Sequence, residues 1–347
     1  MGSRTCLRRR NSSLLRTDKL KQMKKRSFLK FLSIFLSGLS LQLFGFQNLT
    51  YAESHKKKKK MKDLSSMVIK SNCSKCESME GFIDPNLIDR KIYKMLHLMG
   101  SGKKGRQQTQ EDVDLQKERG AIETGTKPVF YENANCGKID EGWAIDYTPK
   151  RNNPAIHKGI DIPKPFGEPI LAVADGTVIG IFENSWSAKG IEIMLRHTPE
   201  QTGLPFWTYS QYTHFDSMPN FEIGQKVSMG EDLGPTGNTG KRGKESEKKK
   251  KKRKKENIKR PERRPALHFA IIYSEVPEWS SWKRGIVIKD SYWMDPLAFY
   301  RKNGPYRSQE VKKLSKKEKK ILIGYKKKDG SFVPNNSKRI WPYTSKA

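Results

Sequence analysis

The sequence predicts an all-β core of antiparallel sheets carrying a metal-binding groove, with a short N-terminal helix and basic disordered extensions. Three observations lead there. From Val129 onward the chain runs as short apolar stretches punctuated by glycine, at 224, 230, 234, 237 and 240 for example, as in strands joined by tight turns. No stretch of that core keeps a helical period. His157 and Asp161 stand four residues apart, and His268 sits on an apolar run about a hundred residues later, a donor set of the kind that holds a divalent ion.

At 347 residues the chain has room for one large domain or two modest ones. It carries 69 Lys and Arg against 37 Asp and Glu, a formal net charge of +32, which suits nucleic acid, an anionic membrane or an anionic polymer. The excess is concentrated in blocks. Lys241 to Arg264 holds 15 basic and 4 acidic residues, and further blocks lie at Lys56 to Lys60 and Lys312 to Lys320. Such blocks repel themselves and read as solvated tails or loops. No aromatic residues are interleaved with them as stacking platforms for bases, so nucleic acid is not an expected partner.

In chain order, Met23-Lys24-Lys25-Arg26 precedes a run of 16 residues, Phe31 to Phe46, without a charge. Thr50-Tyr51-Ala52 then places small residues at a cleavage point after Ala52. This is the make-up of a secretory signal, with Met23 as the expected start and export as the expected fate. The run is shorter than the roughly 20 residues that comfortably span a bilayer, and an uncleaved anchor stays open as an alternative. The expected location is periplasmic or envelope-associated.

Exported chains keep disulfides. Loss of Cys6 with the signal leaves Cys73, Cys76 and Cys136. Cys73-Ser74-Lys75-Cys76 is a candidate redox pair or half a zinc knuckle, with no second C-x-x-C to complete the knuckle, and the favoured reading is one structural disulfide to Cys136 with one thiol left over.

Residues 53 to 80, rich in Lys and Ser, read as a linker. Asp84-Pro85 is a helix start, and Ile88, Ile92, Met95, Leu96 and Met99 at helical spacing predict a helix over 85–99. Residues 100 to 125 are polar and read as mobile. Ile170 to Ala174 and Thr177 to Phe182 flank Asp175-Gly176, which predicts a hairpin. Ile191 to Leu195, Phe206 to Phe215 and Leu267 to Tyr273 are further strand candidates. Asp295-Pro296 opens a closing helical turn, and Asp329-Gly330 a small C-terminal hairpin.

Several short strings appear in order: His157-Lys158-Gly159-Ile160-Asp161, Ala174-Asp175-Gly176-Thr177-Val178 and Tyr212-Thr213-His214-Phe215, then Gly224-Gln225-Lys226-Val227, Gly230 and Gly234. Gly237-Asn238-Thr239-Gly240, Leu267-His268-Phe269 and Asp295-Pro296 complete the set. With them the region from about 150 to 300 resembles the lysostaphin-type (LytM-like) zinc endopeptidases of bacterial cell walls, peptidase family M23. The resemblance implies one Zn2+ per chain, ligated by His157, Asp161 and His268, with the fourth position open. It also implies His214 as a catalytic residue that positions water or stabilises the oxyanion. The implied function is an exported zinc metalloendopeptidase hydrolysing peptide cross-bridges of peptidoglycan. The implied division is a signal peptide at 1–52, a linker with a short helix at 53–126, the metallopeptidase domain at 127–303 and a lysine-rich extension at 304–347.

Two departures bear on turnover. The family's last motif is H-x-H followed by Phe-Glu; here Ala266-Leu267-His268-Phe269-Ala270 puts alanine where a second catalytic imidazole belongs. Positions 266 and 268 of a strand share a face, so the loss falls in the metal cavity. Losing one such group typically costs ~10²–10⁴ in rate. The second departure is the basic insert at 241–265. It is a candidate binder of an anionic wall polymer or lipid, and a solvated loop without a role is the bland alternative. One of its lysines is a candidate substitute for the missing imidazole, with nothing to single out which. The competing function is a catalytically degenerate wall-binding or amidase-regulating module. His197 reads as a buried structural histidine, Trp207 and Tyr209 as packing, and His55 and His97 match no motif.

Overall fold

The computed structural model describes residues 68–92, 110–139, 157–184, 187–240, 247–259, 262–282 and 285–345. The expected signal peptide, the Met23 start, His55 and His97 lie outside these residues. Contacts divide the chain into Met1–Lys60 and Met61–Ala347, and the fold below is that of the second unit.

Its centre is an antiparallel seven-stranded sheet in the order β12-β9-β6-β5-β4-β7, with β2 also pairing β9. The strands are β2 (Ile160–Pro163), β4 (Gly176–Asn184), β5 (Gly190–His197), β6 (Trp207–Thr213), β7 (Lys226–Val227), β9 (Ala266–Ser274) and β12 (Tyr292–Met294). β5 is buried along its whole length, and β6 and β9 along nearly all of theirs, so both faces of the sheet are covered. On one face Tyr212 and Phe269 belong to the core with Ile193, Leu195 and Ile271. On the other, Arg196 and Tyr209 hydrogen-bond the Pro277 carbonyl, at the approach to a hairpin of β10 (Trp279–Trp282) and β11 (Gly285–Ile288). The all-β core is as expected.

The Asp175-Gly176 hairpin is not formed. β3 (Pro169–Leu171) pairs with β8 (Asp232–Pro235), while β4 pairs with β5 and β7. The glycine serves a close approach instead: a Cβ on Gly176 would lie 2.7 Å from the His197 ring. Asp175 is taken up by its contacts, its carbonyl accepting from His197 Nδ1 and its carboxylate from the Met229 amide. His197 also contacts the Ser210 hydroxyl through Nε2, at 2.7 Å. It is the satisfied buried histidine expected.

Burial pushes the His197 pKa down to about 4. The unfolded chain therefore binds a proton more readily between about pH 6.5 and 4, and folding stability falls as pH drops through that window. The loss amounts to about 3 kcal/mol at most. Urea melts at pH 7 and pH 4.5 check this, and His197→Gln is expected to flatten that part of the profile.

Three other expectations are corrected. The helix over 85–99 does not begin at Pro85. Pro85–Leu87 is a single 3-10 turn capped by the Asp84 side chain, and Ile88 is extended. Asp89 accepts from the Lys91 amide and starts a new turn; residues 93–99 lie outside the described set. Within the polar 100–125 stretch, residues Gln110–Glu118 form a helix, α1. Its signal was a thin apolar stripe, from which Val113 is buried, and Gly120 ends it at φ 90° directly over the Trp293 carbonyl. The disulfide joins Cys73 to Cys76, and Cys136 is a free buried thiol. The Cys73–Cys76 turn is tied to Glu222 through Lys75, whereas the Cys136 carbonyl accepts from the Trp341 indole on another part of the unit.

Nor is the C-terminal stretch a disordered extension beyond a boundary at 303. β13 (Lys320–Ile323) pairs in parallel with β1 (Lys127–Phe130), and β14 (Tyr325–Lys326) with β15 (Phe332–Val333) forms the expected hairpin. Ile321, Ile323, Tyr325, Ile340, Trp341 and Tyr343 are buried. Lysines dominate the composition, but the apolar residues between them alternate toward the core. In the insert, Glu247–Lys255 is a helix, α2, rather than a disordered loop. Lys, Arg and Glu are good helix formers once the charge is solvated.

Candidate metal centre

β2 and β9 run antiparallel with Asp161 directly opposite His268. Residues opposite one another in such a pair project on the same face. His157 lies one short turn ahead of β2, across Gly159. That glycine is required by space: its missing Cβ would sit 2.5 Å from the Phe269 carbonyl and 2.8 Å from the His268 imidazole. Gly159→Ala is expected to displace the His268 ring and weaken metal binding by tenfold or more, on the order of what disturbing the support of a ligand costs. Zinc competition with a chromophoric chelator measures it.

The three side chains meet. His157 Nε2 lies 3.0 Å from Asp161 Oδ1, and His268 Nδ1 lies 3.0 Å from that oxygen and 2.9 Å from His157 Nε2. They are the one group of three or more His, Cys, Asp or Glu side chains, among the described residues, with atoms placed to share an ion. Bonds of about 2.0–2.1 Å to a tetrahedral zinc would separate such atoms by about 3.3 Å, so a few tenths of an ångström of expansion admits the ion. Protonation suits the task. Burial alone would raise the Asp161 carboxyl, but hydrogen bonds and charge from His157 and His268 hold it well below the usual range. Burial pushes His268 down to about 4. An ionised carboxylate and a neutral imidazole are the forms that ligate.

His214 follows β6 with φ at 74°, a conformation rare for a non-glycine residue, held by its amide donating to the Ile191 carbonyl at 2.9 Å. Its ring centroid lies 6.0 Å from that of His268. Nδ1 is 2.9 Å from the Thr239 carbonyl, which can only accept, so Nδ1 carries the proton and Nε2 the lone pair. Burial, then the charge of Arg263, keep the ring well below its ordinary pKa.

Arg263 is the residue that sequence reasoning missed. Its Nη2 stands 2.5 Å from His214 Nε2 and 4.0 Å from Asp161 Oδ2. Nη1 donates to the Ala188 carbonyl, and the Arg263 carbonyl accepts from the Asn238 side chain. The segment leading into β9 thus turns a cation back into the site. A lysine from the insert was the sequence candidate; among the described residues the arginine is what arrives. Ala266 is buried on β9, opposite Pro163. Lys158, inside the first motif, places its ammonium over the Trp293 ring at 4.6 Å.

Residues 155–277 match the model of Peptidase family M23. Solved structures with similarity include the catalytic domain of the antimicrobial peptidase lysostaphin from Staphylococcus simulans, at 22% identity over 40% of this chain and 82% of that one, with a TM-score of 0.28. LytU is 24% identical over 37% of this chain and 68% of its own, with a TM-score of 0.26. A zinc-containing peptidase from Vibrio cholerae is 20% identical over 45% of this chain and 36% of that one, with a TM-score of 0.27.

Proposed function

With an M23-type peptidase domain at residues 155–277 as the premise, we propose that this protein is an exported zinc metalloendopeptidase that cuts peptide cross-bridges in bacterial peptidoglycan. His157, Asp161 and His268 would hold the ion, and His214 would stand beside it at the edge of the site. The observation that carries the reading is the convergence of these three ligand atoms, each within 4.8 Å of the others. Bound zinc supplies Lewis acidity, polarising a peptide carbonyl and lowering the pKa of water at the open position. The protein's own part is to fix the ligands from adjacent strands and to place donors beside the reacting carbonyl. It also keeps bulk water off: Asp161 and His214 are both buried.

The test is zinc content together with release of new amino groups from purified peptidoglycan. One zinc per chain with turnover is the expected result. The second reading, a wall-binding or amidase-regulating module, is favoured by one observation, the buried Ala266 in place of an imidazole. Zinc binding without turnover, and turnover gained only in Ala266→His, would establish that reading instead.

The helix α2 is the proposed contact for an anionic wall polymer or lipid. Lys250–Lys255 are all cationic and mostly exposed. Exposed charges are screened beyond a Debye length of about 8 Å at physiological ionic strength. Retention on teichoic-type polymer at 50 mM salt is therefore expected to fall steeply by 500 mM, and to be lost in a variant with those six positions changed to glutamine. Equal retention in both would refute the contact.

A further inference from the structure

The missing imidazole at position 266 has a physical substitute on the page. We propose that the Arg263 guanidinium is a catalytic residue of this site, donating a hydrogen bond to the carbonyl oxygen that gains negative charge, and that His214 is the positioning residue that aims it. The proposal rests on the peptidase reading above and deepens it.

The Thr239 carbonyl takes the Nδ1 proton of His214, leaving Nε2 as an acceptor that receives Arg263 Nη2 at 2.5 Å. A neutral imidazole in that tautomer has no N–H left to offer a reacting oxygen. The guanidinium carries five N–H donors in a fixed fork, stays charged at any physiological pH, and lies along the His214 ring edge, with Nη1 also 3.2 Å from Nδ1. Nη2 also sits 4.0 Å from the outer oxygen of Asp161, whose other oxygen faces the two histidines, so the cation borders the metal position. Ties at both ends, Nη1 donating to the Ala188 carbonyl and the Asn238 side-chain amide donating to the Arg263 carbonyl, hold it in place. Only a fixed donor stabilises developing charge without reorganising at the moment of reaction. His214 is buried, and Arg263 is largely so, with 18% of its side chain exposed. The insert that introduces this arginine also distinguishes the chain from the motif pattern at the same edge of the site where Ala266 departs from it.

Three readouts test the assignment. Nitrogen-15 spectra of the zinc-loaded wild type should show His214 protonated on Nδ1, with Nε2 shifted as a hydrogen-bond acceptor. In Arg263→Ala, kcat should fall by ~10²–10³ while KM moves less than threefold, the cost typical of removing one oxyanion donor. Zinc stoichiometry and melting temperature should stay at the wild-type values. Adding guanidinium ion at millimolar concentration should restore part of the lost kcat, whereas Arg263→Lys should restore less than a tenth of it. Arg263→Ala with kcat within threefold of wild type, or raised, would overturn the proposal, as would an Nε2-protonated His214 or an absence of guanidinium rescue. A wild type that binds zinc and cuts nothing would overturn the peptidase reading together with this one. Turnover that survives loss of the arginine overturns this one alone.

Discussion

Asp161→Ala is expected to leave a folded chain that holds no zinc at micromolar metal and releases nothing from peptidoglycan. The carboxylate bridges both imidazoles at 3.0 Å and supplies the only negative charge among the three ligands. Loss of a group that merely supports a ligand costs 10–100-fold in affinity, so removal of a ligand itself should exceed about 100-fold. Folding should suffer less, because the variant also removes a buried charge that must otherwise be desolvated. Zinc retention after dialysis, circular dichroism and a turbidity assay on cell walls read the three consequences separately. A variant that unfolds would be replaced by Asp161→Asn, which keeps the shape and loses the charge. Full activity in either variant would remove the carboxylate from the metal site.

Trp341→Ala is expected to destabilise the whole unit, not only a tail. The indole is fully buried, donates to the Cys136 carbonyl at 3.1 Å and packs edge-on to Phe130 at 5.3 Å. Its own amide donates to Gly324, and the neighbouring Ile340 amide to Val173 on the way from β3 to β4. Truncating a buried tryptophan costs about 3–5 kcal/mol, a large share of a typical net stability. The melting temperature should drop on the order of 10 °C for a domain of this size. Differential scanning calorimetry gives the answer in one transition. A drop under 2 °C, or a separate low-temperature transition for the C-terminal part alone, would show that this segment is an appendage after all.

Much of the strand pattern was legible because the β-core announces itself through apolar runs between glycines. The convergence of the candidate ligands was legible for a related reason: H-x-x-x-D at the mouth of one strand and a histidine on another come together once β2 pairs β9 in register, Asp161 against His268. Pairing partners were not legible. Asp175-Gly176 has hairpin chemistry, yet the glycine answers the bulk of His197, at the end of the strand paired beside it. α1 was hidden because its buried face is narrow and its neighbours polar, so docking against the Trp293 segment decides it rather than periodicity. The C-terminal segment was masked by lysines that stay outside while Ile321, Ile323 and Trp341 go in. Arg263 was invisible for the same reason. Among fifteen basic residues between Lys241 and Arg264 nothing in composition marks Arg263 as turning inward; the contacts with Asn238 and Ala188 do.

The most direct measurement is anomalous scattering above and below the zinc absorption edge, from crystals grown with one equivalent of zinc. A single peak bonded to His157 Nε2, Asp161 Oδ1 and His268 Nδ1, at about 2.0–2.2 Å from each, is the result expected. No peak there, or a peak held by other side chains, would contradict the metal centre on which the function rests.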